Sequence, residues 1–369
     1  MNRDRFEYQV PAAMAFLVGR VASALLLGGG VRRTRSTMAS SAVSAAVEDM
    51  QILARSSPPF RCIETASCAQ TFLDAHDAFL FDCDGVLWRG DDLLPNTIEA
   101  LQHLDRLGKR SVFVTNNAAK SRAAYAARFA KLGLKVSEEQ VVPSSFVAAR
   151  WLARCKPDVT RAFVIGSSGL VEELREAGIE VLTASDFVGG SFADNEASGA
   201  LTELAMRVAQ EPSVGAVVVG HDTSFDFRAL CLASLFLERS DVCFLATNPD
   251  AYDMVAGHRM PGNGCFVAAV ATAAGRPPDA VCGKPNQDLA DYLLAAFSLD
   301  PARTCMIGDR LDTDIALGHA MGASSLLVLT GVASSDEVLR ASGTDGRAST
   351  VPTHAISHVG RLVELIERT

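Results

Sequence analysis

The chain predicts a doubly wound α/β fold, a parallel sheet with helices on both faces and a second α/β unit inserted into it. From about Ala75, short apolar runs alternate with amphipathic stretches of helical length, as buried parallel strands with helical crossovers require. Polar and acidic residues collect just after these runs, where open α/β sheets place their sites. With 369 residues, 49% of them hydrophobic, the chain can bury a large aliphatic core and form more than one unit.

The N-terminal residues 1–46 differ from the rest. They carry six arginines but only two acids, Asp4 and Glu7. An apolar segment, Val10 to Leu27, is split by Arg20 and ended by Gly28-Gly29-Gly30, so no stable membrane span is expected. The Arg/Ser/Ala-rich run that follows, Val31 to Ala46, completes the pattern of a disordered organelle-targeting presequence that adds nothing to the fold. Localisation is then plastidial or mitochondrial, or cytoplasmic if translation starts at Met38. Residues 47–74 lead in.

The first part of the core, 75–158, opens with a strand at Ala78–Phe81. A helix over Asn96–Leu107 follows, with Asn96 after Pro95 as its cap and Gly108 as its stop. Next come a strand at Ser111–Val114, a helix at Arg122–Leu132 ended by Gly133, and a helix at Ser145–Cys155. The inserted unit, 159–262, takes strands at Ala162–Ile165, Ala216–Val219 and Val242–Ala246, with helices at Gly169–Ala177 and Phe225–Glu238. Met260-Pro261-Gly262-Asn263-Gly264 closes it. The second part of the core, 263–369, has helices at Cys265–Ala274, Gln287–Phe297 and Asp312–Met321 and strands at Thr304–Ile307 and Ser325–Leu329.

The net charge of −9 is spread out, and no Lys/Arg cluster recurs after residue 35, so nucleic acid is not an expected partner. Nine scattered cysteines, with no Cys-x-x-Cys pair, read as reduced thiols rather than a disulfide framework or zinc site.

The most informative run is Asp82-Cys83-Asp84-Gly85, directly after the first core strand. Residues i and i+2 of a strand point the same way, and Gly85 lets the chain turn, so both acids can reach one pocket. Such a pair suits a divalent metal, or a nucleophile with an acid/base partner. On its own, a bare Asp-x-Asp is more often just a strand ending in an acidic turn. Thr115-Asn116-Asn117 follows the next strand, Cys282-Gly283-Lys284-Pro285 precedes a helix, and Gly308-Asp309-Arg310-Leu311-Asp312-Thr313-Asp314 follows Thr304–Ile307.

Taken in order, Asp82-x-Asp84-Gly85, Thr115, Lys284 and Gly308-Asp309-x-x-x-Thr313-Asp314 resemble the four motifs of haloacid-dehalogenase-like hydrolases. The fuller wording, Asp82 to Trp88 with Val114 to Asn117 and Gly308 to Ile315, is similar to one branch. That branch holds the phosphoglycolate, 4-nitrophenyl and pyridoxal phosphate phosphatases, which have a Rossmann-like core and a large inserted α/β cap. The resemblance covers roughly residues 75–335 and lies nearest to phosphoglycolate phosphatase.

The resemblance implies a role for each motif residue. Asp82 is the nucleophile that forms an aspartyl-phosphate. Asp84 protonates the leaving alkoxide and then deprotonates water, so it has to hold a proton until the alkoxide needs it. Mg2+ is the implied cofactor, with the Asp82 and Asp309 carboxylates and the Asp84 carbonyl as ligands and Asp314 orienting from behind. Thr115 and the amides of Asn116 and Asn117 donate to phosphoryl oxygens, and Lys284 neutralises charge shared by phosphate and Asp82. Cys83, between the acids, should turn its thiol into the core.

An α/β cap that closes over this edge favours a small phosphomonoester, with 2-phosphoglycolate first and 4-nitrophenyl or pyridoxal phosphate as alternatives. In relatives a cap loop reaches down to the substrate. Its counterpart is Gly220–Phe225, in which several relatives carry a histidine where this chain has Ser224, and His221 stands nearby. Asn248 and Asp250 read as turn formers ahead of cap contacts. Relatives often pair through the cap, which implies a homodimer. A catalytically idle binding protein would not need the acids. A dinucleotide enzyme would need Gly-x-Gly-x-x-Gly where Asp82-Cys83-Asp84-Gly85 stands.

Overall fold

The computed structural model describes residues 31–56, 58–187, 197–255, 258–343 and 348–367. Seven parallel strands form the main sheet, in the order Arg61–Cys62, His354–Ile356, Ser324–Val328, Thr304–Gly308, Ala78–Phe81, Arg110–Thr115 and Val141–Pro143. Ala78–Phe81 is an interior strand, buried at all four positions, as expected of a strand covered on both faces. Its last residue, Phe81, pairs with Ile307 on one side and Phe113 on the other. The three strands therefore end within two residues of one another, and the residues after each meet at one carboxyl edge.

Side-chain alternation divides the core. Phe79, Phe81 and Phe113 pack with Trp88 and Phe129 on one face. Leu80, Val112 and Val114 face the other way, into an apolar cluster shared with Val164, Val218 and Leu245 of a second sheet. That sheet, the cap, is also parallel. It runs Ala280–Val281, Cys243–Ala246, Ala216–Val219, Arg161–Ile165 and Glu180–Leu182, and buries Phe163, Phe236 and Phe244 on its far side.

Three expectations need correction. The cap does not end at 262. Pro261 belongs to a two-stranded hairpin (Tyr252–Val255 with His258–Pro261), Val270 of helix Asn263–Ala274 packs in the cap core, and Ala280–Val281 is the cap sheet's edge strand. The chain returns to the core only after Val281.

The second concerns the N-terminus. Residues 1–30 of the expected presequence lie outside the described residues. Helix Val31–Arg55, however, buries Ala39, Ala42, Ala46, Met50 and Leu53. Ala46, Met50 and Leu53 lie against Ile315, Leu327, Leu329, Ala333 and Val338. This helical spacing makes one apolar stripe, so residues 39–46 are part of the fold.

Third, Asn96 does not cap its helix. It adopts φ +56° and donates from Nδ2 to Glu364 Oε1 at 2.8 Å, fastening the C-terminal helix instead.

Among the described residues no helix is long and apolar enough to cross a membrane, and all nine cysteines are free thiols.

Candidate active site

Asp82, Asp309 and Asp314 converge at the carboxyl edge, each offering an oxygen within 4.8 Å of the others. All three are buried. Lys284 enters from the loop between cap and core, and its Nζ lies 2.8 Å from Asp82 Oδ1 and 2.6 Å from Asp314 Oδ1. It also donates to the Val114 carbonyl at 2.9 Å, so all three protons of the ammonium have a partner. Burial works against the charged lysine, but Asp314 and then Asp82 outweigh it and hold the group above its ordinary value.

Asp314 lies in the wide helical turn Leu311–Ile315. Its Oδ2 accepts from the backbone N–H of Asp309 and of Arg310, both at 3.1 Å, while Oδ1 faces Lys284. Both of its oxygens are thereby committed to orienting the loop and the lysine. Asp309 receives one N–H, from Val332 to Oδ2 at 2.8 Å, and keeps Oδ1 clear of such a bond. Burial pushes Asp309 well above the usual carboxylate range, with Asp82 and Asp314 adding to it. Burial likewise pushes Asp82 up to about 7, against the pull of Lys284. Three crowded acids facing one ammonium leave excess negative charge, and these hard oxygen donors fit a divalent cation held by Asp82 and Asp309.

Glycines let the loops close on these acids. Gly85 has φ +84°, and a Cβ there would sit 2.4 Å from Asp309 Oδ2. A Cβ on Gly331 would sit 1.6 Å from the same oxygen. Gly331 belongs to a loop, Thr330–Ala333, that was not singled out in the sequence. Thr330 Oγ1 donates to the Gly85 carbonyl at 2.7 Å, and Arg89 donates to the carbonyls of Thr330 and Gly331. The available signal was a glycine just past the apolar run Ser325–Leu329.

Asp84 stands at the exposed mouth of the site. Trp88 Nε1 donates to its Oδ1 at 3.0 Å and Asn117 Nδ2 to its Oδ2 at 3.2 Å. Asn117 therefore differs from expectation. Its side chain holds Asp84, and its backbone N–H goes to Thr115 Oγ1 at 3.1 Å. The Asn116 side chain ties the lysine loop to the cap instead: Oδ1 accepts from Lys284 N at 2.8 Å, and Nδ2 donates to Asp250 Oδ1 and the Lys284 carbonyl. Asn248 Nδ2 donates to the Asn116 carbonyl at 2.6 Å, so Asn248 and Asp250 link cap to core rather than merely forming a turn. Cys83 lies in the core, its thiol raised by burial and then by Asp82 and Asp84.

The cap loop is not brought onto these acids by any direct bond. Ser224 donates from N and Oγ to Asp222 Oδ1, and His221 packs its ring on Phe266 and accepts from Ser167 at its carbonyl. The hairpin overhangs the site instead. Burial raises Asp253, with His221 and Arg310 opposing and Asp84 adding to the shift. Arg310 also donates to the Tyr252 carbonyl at 3.1 Å.

A family model described as haloacid dehalogenase-like hydrolase matches residues 79–180, and a second hydrolase model of the same type matches residues 281–360. The glycerol-3-phosphate phosphatase of Gallus gallus is 38% identical over 304 residues, spanning 81% of this chain and 95% of the relative. The chain belongs to the haloacid dehalogenase-like hydrolases. Phosphoglycolate phosphatase 1A, chloroplastic, of Arabidopsis thaliana is 40% identical over 269 residues, 72% of each chain. Among solved structures, a glycerol phosphate phosphatase from Mycobacterium tuberculosis in complex with magnesium superposes with a TM-score of 0.62 at 29% identity, covering 79% of this chain and 78% of that one. Within this hydrolase family, relatives of this kind make the chain a phosphomonoester hydrolase.

Proposed function

We propose that the protein is a Mg2+-dependent phosphomonoesterase working through an aspartyl-phosphate on Asp82, with 2-phosphoglycolate as its substrate. The observation that carries this reading is the Lys284 ammonium, buried between Asp82 and Asp314 beside the free edge of Asp309. It holds Asp82 by Oδ1 and leaves Oδ2 to attack phosphorus.

Mg2+ held by the Asp82 and Asp309 carboxylates and the Asp84 carbonyl would supply positive charge to the phosphoryl oxygens. The protein does the rest. As Asp82 Oδ2 bonds to phosphorus, the ester P–O bond breaks, and the alkoxide takes the proton of Asp84. Asp84 then accepts a proton from water as that water attacks the phosphoryl group, releasing phosphate and restoring Asp82. By the resemblance, Thr115 and the Asn116 amide would donate to phosphoryl oxygens, and the cap would exclude bulk water and large esters.

The substrate assignment rests on the resemblance and on the Arabidopsis relative's name, and that relative's chloroplast label suits an Arg-rich presequence here. Cleavage of such a presequence would fall upstream of Ala39, because Ala39 already packs in the fold. The chicken relative's name favours glycerol 3-phosphate as the second reading. Pairing through the cap would give a dimer by light scattering.

The deciding assay follows phosphate release from 2-phosphoglycolate, glycerol 3-phosphate, pyridoxal phosphate and 4-nitrophenyl phosphate, with Mg2+ or chelator, alongside Asp82→Asn. Metal-independent turnover, or activity in Asp82→Asn, overturns the mechanism. Equal kcat/KM on all four esters overturns the substrate alone.

A further inference from the structure

Trp88 is 1% exposed, and its one polar atom, Nε1, reaches Asp84 Oδ1 at 3.0 Å. The backbone closes the same small turn. Gly85 N donates to the Trp88 carbonyl at 2.7 Å, and Trp88 N donates to the Cys83 carbonyl at 3.3 Å. The indole sits among Tyr125, with rings stacked 6.4 Å apart, and Phe129 at 5.4 Å. The Arg128 guanidinium lies 3.9 Å from its ring centroid and is itself anchored on the Gly90 carbonyl.

Phenylalanine could fill this aromatic slot without leaving a buried N–H in need of a partner. The N–H therefore serves Asp84 rather than the packing. With Asn117 on Oδ2, it pins the carboxyl plane at both oxygens, one donor each. A lone pair on each oxygen remains for the transferable proton.

We propose that Trp88 is a positioning residue for proton transfer by Asp84, set by its indole N–H and backed by Arg128. The role rests on the phosphatase reading above. As Asp82 bonds to phosphorus and the P–O ester bond breaks, the electron pair stays on the leaving oxygen, which takes the Asp84 proton. A carboxyl fixed in plane presents that proton along one direction, and a loose one does so only part of the time. Arg128 over the ring face polarises the indole and strengthens its N–H as a donor.

The test uses leaving groups. The alkoxide of 2-phosphoglycolate needs the proton to depart, whereas 4-nitrophenolate leaves without it. Because kcat/KM reports the first, ester-cleaving step, Trp88→Phe in the full chain should lower it about tenfold for 2-phosphoglycolate and less than about twofold for 4-nitrophenyl phosphate, within the range general acid catalysis supplies. Arg128→Met keeps the indole and should shift the same ratio in the same direction by about twofold to threefold. It decides the matter if Trp88→Phe does not fold by thermal melt. Equal losses on both esters, or no loss on either, overturn the role of Trp88 while wild-type turnover leaves the phosphatase reading standing. Absence of Asp82-dependent turnover in the wild type overturns the reading and this role with it.

Discussion

Lys284 Nζ and Asp314 Oδ1 lie 2.6 Å apart, with side chains only 2% and 1% exposed. An ion pair this deep is costly to break from one side, because the partner charge stays buried and unpaired. Lys284→Met would leave Asp82, Asp309 and Asp314 crowded together with no protein cation among them. The expected cost is about 3–5 kcal/mol of stability, with loss of turnover. Asp82→Asn should also abolish turnover, but it removes one of the crowded charges and should destabilise far less. Urea unfolding of the two variants, side by side with wild type, checks the order.

Gly331→Ala tests the loop that closes on Asp309. A Cβ placed 1.6 Å from Asp309 Oδ2 cannot be accommodated without moving that carboxylate. Asp309 is held there by Val332 N, so the loop and its acid must shift together. The expected outcome is a loss of about 100-fold in kcat/KM, the scale on which a misplaced site of about 1 Å is felt. A weaker Mg2+ affinity by calorimetry should accompany it. Gly343→Ala makes a control, since its Cβ would meet nothing closer than 3.3 Å.

The parts of the site that could be read from the sequence share one physical trait. Asp82, Thr115 and Asp309 follow apolar strands directly, so the end of a hydrophobic run locates them. Lys284 stands out as a charge pinned between Gly283 and Pro285. Residues that act through the backbone or across the chain left no such trace. Gly331 works by lacking a side chain, and Asn248 matters because it reaches Asn116 on another domain. Asn117 was read as a backbone donor, but its side chain found Asp84 because Thr115 Oγ1 had taken the N–H. Most strand and helix bounds fell within two residues of those observed. The cap boundary did not, because the hairpin at Pro261 looks like an exit when read alone.

The N-terminal helix gives the third prediction. Ala39, Ala42 and Ala46 continue the buried stripe of Met50 and Leu53, which packs on Ile315 and Ala333. Those two residues flank the Asp309–Asp314 loop and the Gly331 loop, and Ala333 N also donates to the Asp309 carbonyl at 2.9 Å. A chain starting at residue 47 should melt lower, and bind Mg2+ more weakly, than one starting at residue 31. Leu53→Ala in the full chain should cost about 2–5 kcal/mol, the usual range for a buried leucine. Equal melting of the two truncated chains would show the stripe to be dispensable.

Part of the acid sensitivity should come from a histidine pair far from the site, alongside His358, which burial also lowers. His354 ends at the sheet's amino edge with its ring 6.2 Å from His76, and Phe72 lies against both rings. Burial lowers His354 to about 4, with the facing charges of His76 and Arg61 adding to the effect. Burial also lowers His76, helped by Arg303 and Lys109 and opposed by the Phe72 carbonyl and Asp77. Unfolded histidines titrate near 6.5, so between that pH and about 4 the unfolded chain takes up protons that the native pair refuses. The stability these neutral rings allow is present above pH 6.5 and lost as pH falls towards 4. Melting temperature should therefore drop on acidification from pH 7 to 5. In His354→Asn the drop should be visibly smaller, since one refused proton is gone and His76 loses the facing positive charge. A slope unchanged by that substitution would move the acid sensitivity elsewhere, but not to Asp82 or Asp309, whose carboxyls burial raises, so that the native chain takes up protons there before the unfolded one does.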